Sequence, residues 1–487
     1  MRRHLAMLPI AALVMIPAAC RDQPQGTVRA VVIGGEPKVR DPYLGPVAPE
    51  DAVLLQNVAQ GLVRFDAGGN VIGGLAERWN VSNDGLSYIF RLASAEWPDG
   101  KKINAQQVAR LLKRQLSSRS RNSLKDSLGA VEDVVAMTDR VIEIRLLAPR
   151  PNLLSLLAQP ELAILRDRDG TGPFTATPSD VAGRELRLSR RIPGGDDEAE
   201  PQQEEVLLAG ASSADAVRAF ADDKADLVLG GTFADLPLAQ RAKLPRGTLR
   251  FDPASGLFGL VPARSGGAFD DPAVRRLLAQ ALDRPNYIGL LGVPGLAARA
   301  TVLEPGLDGV PAPVAPAWFA TPLGDRLAAL RAQSDELFGT DKPVVRIALP
   351  EGPGSDLLFQ EIGRDWGTIG LTIERAPNAS NADFVLVDQV APSASPAWFV
   401  RRFHCGVVAI CDPQADELAD AARQTPIAAQ RYALLVQAAA KIDDAQLFIP
   451  IAAPIRWSLV SERIQGFAGN RYARHTLTDL AQQPGTN

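Results

Sequence analysis

The chain has few of the side chains that catalysis usually needs. Its 487 residues include three histidines and three cysteines. A Gly-x-Ser-x-Gly elbow, a His-Glu-x-x-His pair and a Walker A loop are all missing from the sequence. A Ser-His-Asp triad assembled in space stays open, because geometry defines it rather than spacing. With only His404 and His475 after the N-terminal segment, the composition favours a protein that is not an enzyme and that holds neither a cofactor nor a metal.

The sequence also lacks an excess of charge and long apolar runs. It carries 52 basic and 56 acidic residues, which gives a formal net charge of −4. No dense basic patch is present that would indicate binding to nucleic acid. After the N-terminal segment there is no run of 18 apolar residues, so the sequence predicts no transmembrane helix.

The N-terminal segment is typical of a bacterial export signal. Two arginines precede an apolar stretch at 5–18, which is too short to cross a bilayer comfortably. Small residues end this stretch and Cys20 follows them, which resembles a lipoprotein signal whose cysteine becomes the acylated first residue. We therefore predict a signal peptide at 1–19, lipidation of Cys20, a polar tether at 20–26 and a lipid-anchored protein in the periplasm. A plain secretory signal with an incidental cysteine is the alternative.

Two further cysteines, Cys405 and Cys411, lie six positions apart. An exported protein meets an oxidising compartment, where such a pair closes a small disulfide loop worth roughly 2 kcal/mol. The alternative is a metal site with His404 and Asp412 as further ligands, but the spacing fits no zinc pattern. We therefore favour a disulfide between Cys405 and Cys411.

Secondary-structure patterns favour an α/β protein. Asp271 and Pro272 begin a helix whose apolar residues share one stripe. Farther along, the pattern predicts a strand at 344–349, a helix at 355–369 and a strand at 371–374. This order is typical of a parallel sheet that helices cover.

One stretch carries a specific resemblance to a known family. It contains, in order, Gln60-Gly61-Leu62, Gly74-Leu75-Ala76-Glu77-Arg78-Trp79, Asp84-Gly85, Tyr88-Ile89-Phe90-Arg91-Leu92 and Trp97-Pro98-Asp99-Gly100. Later blocks keep the same order: Gly170-Thr171-Gly172-Pro173-Phe174, the helix at 271–284, Gln430-Arg431-Tyr432 and Ile464-Gln465-Gly466-Phe467. Together they resemble the family 5 extracellular solute-binding proteins, which are the dipeptide, oligopeptide and nickel-binding components of ABC transporters.

The resemblance implies a two-lobed periplasmic-binding-protein fold, the class II Venus flytrap. Lobe I would comprise 27–264 plus 463–487 and would include an extra subdomain at about 50–165. Lobe II would comprise 265–462. The chain would then cross between the lobes near 262–267 and 460–464.

The same resemblance implies the substrate-binding component of an ABC importer. Such a protein traps a small molecule or an oligopeptide between its lobes, works as a monomer, and delivers the solute to a complex of permease and ATPase. The alternative is a lipid-anchored envelope protein of the same fold that acts as a chaperone, sensor or scaffold without transport.

The resemblance finally indicates which residues face the ligand. In peptide-binding members an acid beside a proline holds the amino group of the peptide, whereas this chain has Ser395 before Pro396. Asp388 is the nearest substitute, because a neutral serine cannot form the charge-assisted bond that an ammonium needs. The other candidate ligand-binding residues are charged or aromatic, and each also has an ordinary interpretation as a surface charge or a packing aromatic: Glu36, Trp398, Arg401 and Trp457.

Overall fold

The computed structural model describes residues 26–179, 184–192 and 201–480. The predicted signal peptide, Cys20 and the tether as far as residue 25 lie outside these residues. Among the described helices, none is both long and apolar enough to cross a bilayer.

The strands of the described residues are named here in chain order: β1 (Val28–Ile33), β2 (Val63–Phe65), β3 (Val71–Gly73), β4 (Ala76–Val81), β5 (Ser87–Leu92), β6 (Val131–Thr138), β7 (Val141–Leu146), β8 (Thr175–Pro178), β9 (Glu185–Ile192), β10 (Gln202–Ala211), β11 (Leu227–Thr232), β12 (Leu249–Phe251), β13 (Gly256–Pro262), β14 (Val344–Ala348), β15 (Thr372–Arg375), β16 (Phe384–Val390), β17 (Ile449–Ala452) and β18 (Arg456–Val460).

The α-helices of the described residues follow the same convention: α1 (Pro49–Val58), α2 (Ala105–Leu116), α3 (Leu153–Leu157), α4 (Ser213–Ala221), α5 (Leu236–Arg241), α6 (Pro272–Gln280), α7 (Arg284–Leu291), α8 (Leu323–Phe338), α9 (Pro353–Gly367), α10 (Pro396–Arg401), α11 (Pro413–Gln424) and α12 (Ala428–Asp444).

A seven-stranded sheet has the order β12-β18-β11-β1-β10-β9-β8. Its central strand, β1, pairs in parallel with β10 and β11. Alternate residues of β1 are fully buried, with Val28, Ala30 and Val32 at most 1% exposed, because successive side chains of a strand point to opposite faces. These side chains pack into a core under α1 and the C-terminal segment.

A five-stranded sheet has the order β15-β14-β16-β13-β17. β14 and β15 pair in parallel on either side of α9 in the chain, which confirms the predicted strand–helix–strand unit. α6 begins at Pro272, and the Asp271 carboxylate accepts a hydrogen bond from Ala273 N, as expected of an N-cap. β13 is buried on both faces: Phe258 and Leu260 join one core, whereas Leu257 and Val261 join another beneath α10–α12.

A four-stranded antiparallel sheet, β4-β5-β7-β6, has a core of its own that runs from Leu62 to Ile164. The turn between β4 and β5 holds Asp84 and Gly85, as the hairpin signal requires. Asp84 Oδ1 accepts a hydrogen bond from Leu86 N at 3.0 Å, and Gly85 has φ +69°, a conformation that glycine adopts without strain. We call the part of the chain that packs on this core the four-stranded unit.

The chain passes between the seven-stranded and the five-stranded sheet twice, at 252–255 between β12 and β13 and at 453–455 between β17 and β18. Both changes come earlier than the crossings predicted near 262–267 and 460–464. The composition change at 262–267 marks the loop after β13, not a crossing. A strand that is buried on both faces reads as a continuous apolar run, and such a run does not reveal which sheet the strand joins.

Cys405 and Cys411 are joined by a disulfide in the segment between α10 and α11, with the two Cα atoms 5.2 Å apart. The backbone N–H of Cys405 also donates to Asp416 Oδ2 on α11 at 2.9 Å. The loop is therefore fixed to the helix that follows it. His404 contributes to this arrangement, since its Nδ1 lies 2.6 Å from the Cys405 carbonyl.

Asp443, near the end of α12, anchors the segment between α7 and α8. Its Oδ1 accepts a hydrogen bond from Val302 N at 2.8 Å. Burial, opposed by the Val302 hydrogen bond and assisted by the neighbouring Asp444 carboxylate, raises the pKa of Asp443 to about 7. The charged form of Asp443 is therefore less favourable in the folded protein than in the unfolded chain.

Because the pKa of Asp443 is raised on folding, its contribution to stability is complete at low pH and is lost as the pH rises towards about 7. We expect Asp443→Asn to retain more of its stability than the parent between pH 5 and pH 8, since the amide oxygen still accepts from Val302 without titrating. Denaturant unfolding at several pH values measures this. The matched control is Asp341→Asn, at an exposed position between α8 and β14, and equal pH profiles for the parent and both variants would contradict the prediction.

The disulfide generates a second prediction. We expect Cys405 and Cys411 to resist alkylation in the exported protein unless a reductant is added. Replacing both with serine should lower the unfolding free energy by about 2 kcal/mol, because the unfolded chain loses a constraint on a short loop. Mass spectrometry of alkylated peptides and thermal unfolding check the two statements; free alkylation without reductant would contradict the first.

Candidate ligand-binding site

A cavity of about 80 Å³ lies where the four-stranded unit meets the helices α10–α12. The four-stranded unit provides one wall, from residues 126–130 and 149–156. Helices α10–α12 and the loop before α10 provide the other wall. Each wall packs on its own hydrophobic core, so the cavity is bounded by two independently packed bodies.

Regular elements hold the polar side chains of the cavity in place. One wall presents residues from the turn between β7 and α3. On the opposite wall, residues 431 and 435 are four apart on α12 and share one face of that helix. The polar and aromatic lining residues are Arg150 and Asn152 on the first wall, and Ser393, Ser395, Trp398, Arg401, Arg423, Arg431 and Tyr432 on the second.

Hydrogen bonds cross from one wall to the other and close the cavity. They come from the segment that contains α3 and reach the loop before α10 and the end of α11. The three bonds are Asn152 Nδ2 to Ser393 Oγ at 2.8 Å, Gln159 Nε2 to the Pro392 carbonyl at 2.9 Å, and Arg150 Nη2 to the Arg423 carbonyl at 3.3 Å.

The cavity has a strongly positive lining. Burial, together with repulsion from Arg431, Arg401 and Arg423, lowers the pKa of the Arg150 guanidinium to about 10. These repulsions place the other three guanidinium groups within electrostatic range of Arg150. The only carboxylate among the described lining residues is that of the exposed Asp126.

Aromatic rings provide the apolar part of the second wall. Trp398 packs edge-to-face on Phe399, with ring centroids 5.0 Å apart. The Arg402 guanidinium lies 5.9 Å from the Trp398 ring centroid but does not line the cavity. Tyr432 stands beside the Arg431 guanidinium, which is 5.4 Å from its ring centroid. A ligand in the cavity would therefore contact both aromatic faces and cations.

The structure brings two of the sequence-predicted ligand residues, Trp398 and Arg401, to this cavity. Glu36 does not line it: its carboxylate is exposed and forms an ion pair with Lys38 at 3.0 Å. Asp388 and Trp457 also lie elsewhere, and the structure gives each of them a different set of contacts.

Asp388 forms an ion pair that joins the two larger sheets. Arg456 Nη1, on β18, donates to both carboxylate oxygens of Asp388, on β16, at 2.8 and 3.0 Å. The two side chains are only 15% and 17% exposed. Burial raises the pKa of Asp388, and the Arg456 charge opposes that rise. Since Arg456 already occupies both oxygens, Asp388 is not available to a ligand's ammonium group in this structure.

Trp457 is a core residue. It is 1% exposed, and its Nε1 donates to the Thr232 carbonyl at 2.8 Å. The indole covers Gly231 so closely that a Cβ there would come within 2.2 Å of the ring. The ring therefore packs between two strands of the seven-stranded sheet and cannot stack on a ligand there.

Sequence reasoning missed most of the cavity. No sequence motif marks Arg150, Asn152 or Arg423 as ligand-facing. Each of them contributes to the cavity only because of the residues that the fold places opposite it. Arg431 and Tyr432 did belong to a block that resembles the family, and this was the one signal that could have identified them.

The described residues contain no group of three or more histidine, cysteine, aspartate or glutamate side chains that could hold a metal ion. The two described histidines have structural contacts instead. His475 is buried, with its Nε2 3.1 Å from Asp252 Oδ2 and its ring stacked on Phe467.

Replacing Asp388 with alanine separates a structural role from ligand binding. Arg456 would keep a largely buried charge without a partner, so we expect the unfolding free energy to fall by about 3–5 kcal/mol. Thermal and denaturant unfolding measure this. Glu374→Ala, which breaks the exposed Arg346–Glu374 pair, is the control and should be almost neutral. A loss of ligand affinity at unchanged stability would instead assign Asp388 to the ligand.

Comparisons with known proteins agree with the fold described above. The family model described as bacterial extracellular solute-binding proteins, family 5 Middle, matches residues 70–388. A probable di/tripeptide-binding protein 5 from Pseudomonas aeruginosa (strain UCBPP-PA14) is 24% identical over 479 residues, which cover 86% of this chain and 89% of that protein.

Solved structures show the same architecture. OppA of Haemophilus influenzae, in complex with RPPGFSPFR, matches with a TM-score of 0.78 at 16% identity and covers 94% of this chain and 100% of its own. The murein tripeptide binding protein MppA of Escherichia coli matches with a TM-score of 0.77 at 16% identity. The match covers 94% of this chain and 98% of the MppA chain. The predicted two-lobed class II fold is thereby confirmed. Because the family model covers well over half of the sequence, this chain belongs to the family 5 bacterial extracellular solute-binding proteins.

Proposed function

We propose that this protein, as the substrate-binding component of an ABC importer, captures its solute in the cavity between the four-stranded unit and helices α10–α12. The observation that carries the proposal is the position of the cavity between two bodies with separate cores. Bodies that pack independently can separate and close again around a ligand as rigid units. No observation favours the alternative role as an envelope protein without transport.

A short peptide is the ligand class that the comparisons support. The Pseudomonas aeruginosa relative that matches most of this chain is named a probable di/tripeptide-binding protein. The cavity of about 80 Å³ is smaller than the roughly 300–1,000 Å³ of ordinary small-molecule sites. A tripeptide therefore fits between the closed walls only if the lining side chains change rotamer.

The hydrogen bonds between the walls supply a way to couple binding to closure. The Asn152–Ser393 and Gln159–Pro392 bonds hold the walls together and must break when the walls separate. A ligand shifts this equilibrium only through its higher affinity for one of the two states. A peptide that contacts both walls has that preference, because the open form offers it only one wall.

The remaining parts of the proposal concern the whole protein. Lobe I would comprise 27–251, which includes the four-stranded unit, and 456–480, and lobe II would comprise 256–452. The protein would act as a monomer without catalytic activity, would be held to the cell envelope through a lipid on Cys20, and would deliver its ligand to a permease and ATPase complex.

Solution scattering tests the capture mechanism. After co-purified ligand has been removed by partial unfolding and refolding, the radius of gyration should decrease when a tripeptide binds, because the walls close. Asn152→Ala should weaken binding, since it removes a bond that joins the walls. Asn80→Ala, at an exposed position of the same unit, is the control. An unchanged radius of gyration with every tripeptide of a panel that spans acidic, neutral and basic side chains would overturn the proposal.

A further inference from the structure

Four guanidinium groups face the cavity, against a single carboxylate among the described lining residues. The cations are Arg150, Arg401, Arg423 and Arg431, and the anion is Asp126, so the formal charge of the lining is 4 − 1 = +3. The chain as a whole carries a net charge of −4. The cavity lining thus has the opposite sign to the whole molecule.

Most of these arginines have no counter-ion within the described part of the chain. Arg423 pairs with Asp420 at 3.2 Å on the exposed side of α11. Arg150 and Arg431 donate only to carbonyl oxygens in the described contacts: Arg150 to those of Pro149 and Arg423, and Arg431 to that of Thr425. Arg401 forms neither a side-chain hydrogen bond nor an ion pair with any described residue.

Burial makes this arrangement costly without a ligand. Arg431 is only 6% exposed, and Arg150 is surrounded by like charges that lower its pKa. A buried charge is normally paired, because removing it from water without a partner is expensive. A bound anion would supply the missing charge and would accept hydrogen bonds from guanidinium groups on both walls.

The cavity is correspondingly poor in groups that recognise a cation. Asp126 is exposed, and Asp388 is held by Arg456 outside the cavity. Apart from its arginines, the second wall has only neutral polar side chains among the described lining residues: Ser393, Ser395, Trp398 and Tyr432. An ammonium group therefore finds no buried carboxylate among the described lining residues.

We propose that this site selects solutes of net negative charge, namely short peptides or peptide-like molecules that carry at least two carboxylates. One carboxylate would lie between Arg150 and Arg431, and another would reach Arg401. Trp398 and Tyr432 would contact the carbon chain between them. This inference rests on the proposed function, because it specifies the solute that the same cavity captures.

Titration calorimetry with three tripeptides of similar size tests the inference: Glu-Ala-Glu, Gln-Ala-Gln and Lys-Ala-Lys. Gln has nearly the shape of Glu without its charge, so the first pair isolates the effect of the carboxylates. We expect Glu-Ala-Glu to bind at least about tenfold more tightly than Gln-Ala-Gln, which is the smallest effect expected for a charge-assisted bond. Lys-Ala-Lys should bind most weakly. The preference should shrink as salt is added.

Substitutions of single arginines identify which side chains cause the preference for Glu-Ala-Glu. Arg401→Gln should remove most of the preference for Glu-Ala-Glu, whereas Arg402→Gln, whose parent residue lies next to Arg401 but does not line the cavity, should retain it. Thermal unfolding establishes that each variant is folded. Arg150→Gln repeats the test from the opposite wall, so that a folding defect in one variant leaves the other decisive.

The possible results separate the two proposals. Equal affinity for Glu-Ala-Glu and Gln-Ala-Gln would overturn the charge selection and leave peptide capture standing. An acidic preference that survives both Arg401→Gln and Arg150→Gln would show that the selecting charges lie outside this cavity. If no tripeptide binds and the radius of gyration stays unchanged, the proposed function fails and the charge selection fails with it.

Discussion

Arg456 stands at the point where the two halves of the fold are joined. It is the first residue of β18, directly after the chain returns to the seven-stranded sheet. The Arg456 carbonyl accepts a hydrogen bond from the backbone N–H of Asp252, which lies at the other passage between the two sheets. The Arg456 side chain forms an ion pair with Asp388 on the five-stranded sheet. One residue therefore connects both crossings and both sheets. Any movement of one half against the other must leave this connection intact or break a largely buried ion pair.

The cavity depends on the connection at Arg456 because its two walls belong to different bodies. The four-stranded unit is built almost entirely from residues 62–164, and α10–α12 pack on the far side of the five-stranded sheet. Nothing local in the chain brings Arg150 near Arg431. Their proximity is set by the way the two bodies meet, and hydrogen bonds across the cavity join those bodies.

Local features of the fold were predictable from the sequence. The strand, helix and strand at 344–375 have distinct periodicities and a glycine stop, and the Asp84-Gly85 turn is specified by its own side chains. The crossings were not predictable, because β13 is apolar on both faces and carries no mark of the sheet it joins.

The candidate site was harder still to predict. Trp398 and Trp457 look alike in sequence, yet one lines the cavity and the other covers Gly231 in the core. Asp388 seemed free to meet a ligand because its partner, Arg456, lies 68 residues away in the chain. Pairing between distant residues decides whether a polar side chain is available, and only the folded structure contains that information.

The separation of the cavity-lining helices from the Arg456–Asp388 pair has an evolutionary consequence. Three of the four arginines that line the cavity project from helices α10–α12, whereas Arg456 and Asp388 lie on strands outside the cavity. Mutation can therefore exchange an arginine on α10, α11 or α12 for a neutral or acidic residue without removing the Arg456–Asp388 pair. A lineage of such proteins can change its preferred solute by substituting a few cavity-lining helix positions while the connection between the two sheets is inherited unchanged.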